Sequence, residues 1–171
     1  WNDLVNGIKA YVENKDYNLE KFPFPIFNNC LPHIDVFNND GYTKEEIKMM
    51  DETRKILGDN SILITATAVR VPVLKCHGES INVEFVNDID IDELKETLKN
   101  APGVIFTDDT ANNVYPLATV ADDKDEVFVG RIRRDLSIPS GINMWVVADN
   151  IRKGAATNAV QIAEKWIEMQ K

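Results

Sequence analysis

Cysteine is scarce in this sequence, which contains only Cys30 and Cys76 among its 171 residues. Two cysteines are too few for a disulfide scaffold, and neither lies in a C-x-x-C pair or another spacing typical of zinc ligands. The glycine-rich G-x-G-x-x-G fingerprint of dinucleotide-binding domains does not occur either. We therefore expect reduced thiols, no metal site and no dinucleotide-binding fingerprint of the chain's own.

Long apolar runs are also missing. No stretch approaches the roughly 20 apolar residues that a membrane-spanning helix needs, and no signal-peptide pattern opens the chain. We expect a soluble, cytoplasmic protein. The first segment, WNDLVNG, has no initiator methionine and resembles the middle of a helix, so we expect one domain of a longer protein.

Basic residues are outnumbered by acidic ones. The chain has 19 lysines and arginines against 28 aspartates and glutamates, a net charge of −9. A field of this sign repels phosphate backbones and anionic membranes, so we expect neither nucleic acid nor membrane as a partner. A small anionic ligand can bind only in a pocket whose local cations overcome the overall charge.

The composition is typical of a globular protein, with 44% hydrophobic and 27% charged residues. The length predicts one domain over residues 1–171. Hydrophobic periodicity predicts helices and strands without strict βαβ alternation, and therefore an α+β fold with a mixed sheet covered by helices on one face. Helices are predicted over 1–14, 43–57, 90–100 and 150–171, and strands over 61–73, 79–86, 103–108, 126–136 and 141–149.

The second predicted helix has complete start and stop signals. Thr43 and Glu46 form the Thr-x-x-Glu pattern of a capping box, and Tyr42 and Ile47 have the spacing of a hydrophobic staple. Gly58 follows the last turn as a left-handed stop.

Arg70 ends an apolar row. In SILITATAVR the even positions share one strand face, so Arg70 follows four small or apolar residues on that face. A guanidinium there needs an anionic partner, because a buried unpaired charge is very costly. The spacing favours an ion pair with an internal carboxylate over a ligand carboxylate or phosphate, and leaves both open.

His77 lies in a short polar stretch, residues 76–79, between the strand that ends near Pro72 and the next strand. An imidazole near an arginine suits general acid–base chemistry, although a histidine in a turn is more often a surface residue. Cys76 and His77 do not form a nucleophile–base dyad, because adjacent side chains in an extended chain point to opposite faces. His33 is interpreted as structural.

Two groups of charges have both ordinary and functional explanations. Lys48, Glu52 and Lys55 lie along one flank of the second helix, as a solvated ladder of ion pairs or as an amine and a carboxylate at a pocket rim. The cluster GRIRRDL places Arg131 and Arg133 on one strand face and is interpreted as solvated or salt-bridged.

Six segments together resemble one family. NCLPHIDVF, GYTKEEIKMMDETRKIL, TATAVRVPV, CHGESINVEF, FVGRIRRDL and GINMWVVADNIRKGAATNAVQIAE follow the order found in the C-terminal half of bacterial aspartate-semialdehyde dehydrogenases. The resemblance implies a C-terminal domain like that of glyceraldehyde-3-phosphate dehydrogenases, which binds substrate and forms a homodimer. It also implies an upstream Rossmann domain that binds NADP, supplies the catalytic cysteine and packs against the last helix, 151–170.

The same resemblance implies a reaction and a set of site residues. The family reduces L-aspartyl 4-phosphate to L-aspartate 4-semialdehyde, on the route to lysine, threonine and methionine. By position, His77 resembles the acid–base catalyst, Arg70 the arginine that holds the substrate α-carboxylate, and Glu52 the carboxylate that binds the substrate ammonium. Lys55 resembles a phosphate-binding lysine, and Asn158 a position near the nicotinamide.

Some positions depart from the family pattern. Ala68 and Cys76 differ from the residues more usual there, and neither has a chemical role. Neither cysteine lies in the catalytic motif, so we expect this polypeptide alone to be inactive. Two alternatives are an N-acetyl-glutamyl-phosphate reductase, against which Glu52 argues because an acetylated substrate has no ammonium, and a non-catalytic dimerisation module.

Overall fold

The computed structural model describes residues 1–170. The chain divides into two compact units, Trp1–Leu74 and Lys75–Lys171. They are called the first and second unit below, and each is described by itself. The grouping of both into one domain stays a prediction.

The first unit contains two helices, α1 (Asn2–Glu13) and α2 (Lys44–Leu57). Asp3, only 3% exposed, accepts hydrogen bonds from the backbone N–H groups of Glu20, Lys21 and Phe22 at 2.9–3.0 Å. These bonds keep the pKa of Asp3 below its usual value and tie the irregular connection to α1. Leu4 packs beneath that connection in a small apolar cluster with Ile26, Leu31, Phe22 and Phe27.

Helix α2 begins and ends where its capping residues predict. The Thr43 side chain accepts a hydrogen bond from the Glu46 N–H at 3.3 Å, and Glu46 Oε2 accepts one from the Thr43 N–H at 2.7 Å. Gly58 closes the helix in the left-handed conformation, with φ of 66°. The capping box and the glycine stop are both confirmed.

The prediction of a central strand over 61–73 is wrong, because this segment forms no strand ladder in its unit. The segment alternates in exposure with the period of two typical of extended backbone, with Ala68 buried and Leu63 96% exposed. However, its only backbone pairing within the first unit's described residues is a single antiparallel bridge between Leu31 and Arg70. An apolar run predicts extended backbone, but whether a ladder forms depends on a neighbouring strand, which this unit does not supply.

The second unit is built on a four-stranded mixed sheet in the order β1–β4–β3–β2. Strands β1 and β3 each pair antiparallel with β4, and β2 runs parallel to β3. The strands are β1 (His77–Glu84), β2 (Val104–Phe106), β3 (Val127–Arg134) and β4 (Gly141–Ala148). Three α-helices accompany them in the described residues, α3 (Ile91–Lys99), α4 (Ala118–Ala121) and α5 (Thr157–Met169). The α+β fold with a mixed sheet is thus confirmed.

The core of this unit lies between α4 and the two central strands. Ala121, Phe128 and Val147 are buried together, and Ile105 and Trp145 pack against them. Asp90 begins α3 by accepting hydrogen bonds from the N–H groups of Asp92 and Glu93, so side-chain capping recurs in this unit. No helix in the described part of the chain is both long and apolar enough to cross a membrane.

A bulge interrupts β3 between Gly130 and Arg133. The carboxylate of Asp108 holds it by accepting the backbone N–H groups of Arg131 at 2.9 Å and Ile132 at 3.2 Å. Arg131 takes a positive φ of 57°, which is uncommon for a residue with a side chain. The bulge breaks the regular alternation on which their predicted common strand face rested, but Arg131 and Arg133 both line one open groove.

Arg134 behaves differently from those two arginines. Its guanidinium pairs with Asp88 at 2.8 Å, whereas Arg131 and Arg133 are exposed. The cluster was interpreted as solvated or salt-bridged, and the structure shows both, with two arginines exposed and one salt-bridged.

Gly130 sits where a side chain does not fit. A Cβ atom there would lie 1.9 Å from the Thr107 carbonyl oxygen, which is backbone and cannot swing away. We expect Gly130→Ala to lower the free energy of unfolding by about 2–3 kcal/mol, as for an overpacked core. Gly154→Ala is the matched control, since its nearest contact would be 3.8 Å away. Urea unfolding of both variants measures the difference, and equal midpoints would contradict the prediction.

Candidate active site

The five predicted site residues fall into two sets. Arg70, Glu52 and Lys55 belong to the first unit, and His77 and Asn158 belong to the second. The structure therefore gives the geometry within each set. A cleft shared by Arg70 and His77 stays a prediction.

Arg70 is held by backbone pairing and by an aromatic ring. Its N–H and C=O groups pair with those of Leu31 at 2.8 and 2.9 Å. The guanidinium carbon lies 5.3 Å from the centroid of the Phe22 ring, within range of a cation–π contact. Phe22 in turn packs on the apolar cluster of the first unit, so the guanidinium rests on a supported surface.

No carboxylate within the described residues pairs with Arg70. The ion pair that the spacing favoured is therefore not formed within residues 1–170. The planar fork of this half-buried guanidinium is left able to bind a carboxylate through two parallel hydrogen bonds.

Glu52 and Lys55 lie three residues apart on α2, and both are exposed. The predicted ladder is not formed among the described residues, because Lys48 pairs instead with Glu45, at 3.4 Å. Lys55 lines an open depression at the end of α2, together with Asp51 and Arg54. Among residues 1–170 neither Glu52 nor Lys55 has an ion-pair partner, and a carboxylate and an amine on one helix suit a ligand that carries both charges.

Glu46 connects α2 to the segment that carries Arg70. Its Oε1 atom accepts a hydrogen bond from the Ala68 N–H at 2.8 Å, while its Oε2 atom accepts the bond from Thr43. The side chain is nearly buried, and the bonds from the N–H groups of Thr43 and Ala68 hold its pKa below the usual value. The capping pattern identified Glu46, but no local signal pointed to Ala68, 22 residues along the chain.

His77 is the first residue of β1, opposite Ala148 of β4. This corrects its predicted position in a polar stretch before the strand, because pairing with β4 extends the strand backward through the polar residues. The imidazole is exposed. The neighbouring Gly78 lies under the Trp145 indole, where a Cβ atom would come within 2.7 Å of the ring.

Cys76 does not serve as a nucleophile for His77. Its thiol donates to the Ala118 carbonyl at 3.3 Å and packs on the core of the second unit. Burial raises the pKa of the Cys76 thiol, which disfavours the reactive thiolate. The rejection of a Cys76–His77 dyad is consistent with this arrangement, since one side chain faces the core and the other solvent.

Asn158 lies in the first turn of α5 and is partly buried. A tight turn, Arg152–Ala156, leads into this helix and kinks at Ala155. Asp149 secures the turn by accepting the backbone N–H groups of Ile151 and Arg152 at 2.9 and 3.2 Å. The start of α5 is thus anchored to the end of β4.

The rest of α5 has an exposed apolar face. Ile162, Trp166 and Ile167 are each more than half exposed, with Trp166 at 63%. Large exposed apolar patches mark surfaces that bind another protein part. No group of three or more metal-ligating side chains occurs among residues 1–170.

Comparison with known proteins places these features in a family. The family model described as "Semialdehyde dehydrogenase, dimerisation domain" matches residues 2–153. The aspartate-semialdehyde dehydrogenase of Aquifex aeolicus is 58% identical over 97% of this chain and 49% of its own length. That of Legionella pneumophila is 51% identical over 95% of this chain and 45% of its own.

Solved structures agree with the sequence relatives. Aspartate semialdehyde dehydrogenase II of Vibrio cholerae superposes with a TM-score of 0.92 at 43% identity, over 98% of this chain and 49% of that one. It has also been solved in complex with ASA. The Candida albicans enzyme, solved with NADP, gives a TM-score of 0.66 at 25% identity over 95% of this chain and 54% of that one.

The chain spans about half the length of the curated relatives it matches. Because the family model covers most of the sequence and the fold agrees, this chain belongs to the semialdehyde dehydrogenase dimerisation-domain family.

Proposed function

We propose that this chain is the substrate-binding and dimerisation half of an NADP-dependent aspartate-semialdehyde dehydrogenase. The observation that carries the proposal is the unpaired guanidinium of Arg70, supported on Phe22, in the same unit as the exposed Glu52 and Lys55. Aspartyl phosphate carries an α-carboxylate, an ammonium group and a phosphate. These three side chains match those charges one for one.

Each residue has a chemical role in this reaction. Arg70 binds the α-carboxylate through two parallel hydrogen bonds, and Glu52 binds the ammonium group. Lys55 attracts the phosphate as a compact positive charge. Binding at three points orients the acyl carbon toward the nucleophile, which removes much of the entropic cost of the reaction.

His77 is proposed as the general acid–base residue. A cysteine of the upstream half attacks the acyl phosphate, so that the carbon–sulfur bond forms as the carbon–oxygen bond to phosphate breaks. His77 takes the thiol proton before this attack. After hydride transfer it gives this proton to the oxygen of the tetrahedral intermediate, which becomes the hemithioacetal hydroxyl. It then takes the hydroxyl proton back as the hemithioacetal collapses to the aldehyde, and returns it to the cysteine thiolate that is released.

NADPH supplies the hydride that reduces the thioester. This chain contributes few of the residues that bind the cofactor, because its sequence has no glycine-rich phosphate loop. Asn158 is the group we assign, since a partly buried amide at the anchored start of α5 can hydrogen-bond a carboxamide. We propose that the upstream half binds the rest of the cofactor and covers the apolar face of α5.

Activity of the joined halves tests the proposal. We would join this chain to the upstream half of the Aquifex aeolicus relative, and call the product the two-domain enzyme. Phosphate-dependent reduction of NADP with aspartate semialdehyde should be restored, and the chain alone should show none. An inactive fusion beside an active, intact Aquifex aeolicus enzyme would contradict the proposal, as would a preference for the N-acetylated glutamate semialdehyde.

The chain is also proposed to form a homodimer, as the printed name of its family model suggests. Sedimentation velocity over a hundredfold concentration range should give a monomer–dimer equilibrium or a stable dimer. A monomer at every concentration would contradict this part of the proposal.

A further inference from the structure

No strand ladder within the first unit fixes the alignment of the segment that carries Arg70. Residues 62–69 alternate in exposure with the period of two typical of extended backbone, but they belong to no ladder within the first unit. In a strand, a slip of one residue moves every side chain to the opposite face. Such a slip would turn Arg70 away and put Val69 or Val71 in its place, so this segment needs some other source of register.

Side chains of α2 supply that register. Glu46 Oε1 accepts the Ala68 N–H at 2.8 Å, and Arg54 Nε donates to the Ile62 carbonyl at 3.1 Å. Ile62 and Ala68 are separated from Arg70 by an even number of positions. In an extended chain, their side chains therefore point to the same face as that of Arg70. The Leu31 bridge at Arg70 itself is a third point of attachment. The Tyr42 hydroxyl, 3.4 Å from the Thr65 hydroxyl, is a fourth.

Glu46 is the stronger of the two α2 contacts. It is 6% exposed, whereas the Arg54 side chain is 28% exposed and also lies 3.7 Å from Asp51. The second oxygen of Glu46 is bound to the Thr43 N–H, so the carboxylate cannot rotate without breaking the helix cap. Ala68, the residue it binds, lies two positions before Arg70 and therefore controls the face on which the guanidinium emerges.

We propose that Glu46 is a positioning residue of the substrate site, which sets the register of Arg70 against Glu52 and Lys55 on the same helix. This inference rests on the proposed function. Glu46 thereby connects Arg70, which binds the substrate α-carboxylate, to the helix that carries Glu52 and Lys55. A capping residue of α2 thus also determines substrate affinity.

Glu46→Gln separates the two roles of this residue. Glutamine is accepted at the third position of a capping box, so the bond from the Thr43 N–H can persist through its one carbonyl oxygen. Its amide NH₂ group then faces the Ala68 N–H, where a donor meets a donor. The cap is kept and the attachment of the segment is lost.

In the two-domain enzyme we expect Glu46→Gln to raise the KM for aspartate semialdehyde by on the order of 10-fold, since small displacements of a binding group are costly. The KM for NADP should not change, and kcat should change less than threefold. Glu45→Gln is the matched control. It removes the same charge from the same helical turn, where Glu45 pairs with the exposed Lys48, and it should leave the KM unchanged.

A purely structural role of Glu46 predicts the opposite pattern. Thr43→Ala removes the side-chain cap but leaves both oxygens of Glu46 bound through backbone N–H groups. We expect it to lower Tm without changing the KM. Glu46→Gln should also lower Tm, because it leaves the buried Ala68 N–H without an acceptor, but it should raise the KM as well. If the KM follows Tm across both variants, or if Glu46→Gln keeps the wild-type KM, the proposal is overturned.

Amide exchange measures the attachment without any enzyme assay. In this chain alone, the Ala68 N–H should exchange slowly in the wild type and at least 10-fold faster in Glu46→Gln, while the Arg70 N–H stays protected by Leu31. Equal exchange rates of the Ala68 N–H in the wild type and in Glu46→Gln would overturn the inference, even if the two-domain enzyme with Glu46→Gln could not be obtained in folded form. An inactive wild-type two-domain enzyme would instead count against the proposed function, so the two failures are distinguishable.

Discussion

Replacing His77 with alanine in the two-domain enzyme lowers kcat by about 10²–10⁴-fold, the usual contribution of a positioned general acid–base group. The imidazole is exposed at the first residue of β1, so its removal leaves no cavity. The loss should therefore appear in kcat while Tm stays within about 2 °C of the wild type, because surface substitutions change stability little.

The chain provides a matched control for this experiment in its other histidine. His33 is also exposed, and it stacks on Phe37 with ring centroids 4.4 Å apart, as expected of a structural residue. His33→Ala should retain the wild-type rate. Steady-state kinetics of both variants decide the matter, and an unchanged kcat in His77→Ala would remove this residue from the mechanism.

Replacing Arg70 with alanine should lower kcat/KM for aspartate semialdehyde by about 30- to 5,000-fold. This range corresponds to the 2–5 kcal/mol typical of losing one partner from a desolvated, hydrogen-bonded charge pair. Arg70→Lys keeps the charge but loses the planar fork and most of the contact with Phe22. It should therefore recover only part of the loss.

Arg133→Lys serves as the control for a change from guanidinium to amine. Arg133 is exposed on β3, and its recorded side-chain bond is to the Arg131 carbonyl at 2.8 Å, so this variant should keep the wild-type kcat/KM. Stability adds a second criterion for Arg70. Because no described carboxylate pairs with it, Arg70→Lys should unfold at nearly the wild-type urea concentration. A large loss of stability with unchanged kinetics would assign Arg70 a structural role.

Local sequence signals predicted those helices and strands whose stabilising contacts lie within the element or next to it in the sequence. Helix α2 is the clearest example, because Thr43, Glu46 and Gly58 satisfy the backbone groups at its two ends from within the helix itself. The alternating strand β1 and the acidic start of α3 were predicted for the same reason. The short helix α4 was not predicted, since four residues are too few to show a period.

The failures concern features that need a distant partner. The bulge in β3 depends on Asp108, more than 20 residues earlier in the chain. The extension of β1 back to His77 depends on Ala148 of β4. The segment 61–73 has the apolar content of a central strand, yet within its unit it is attached through side chains and one bridge.

The sequence by itself determined the four longer helices and the strands of the mixed sheet. It did so because periodicity, capping and charge are properties of neighbouring residues. Only the tertiary structure decided that Arg70 lies against Phe22 and that Glu46 binds the Ala68 N–H. Those contacts join residues 22 or more positions apart, and chain folding rather than local preference brings such residues together.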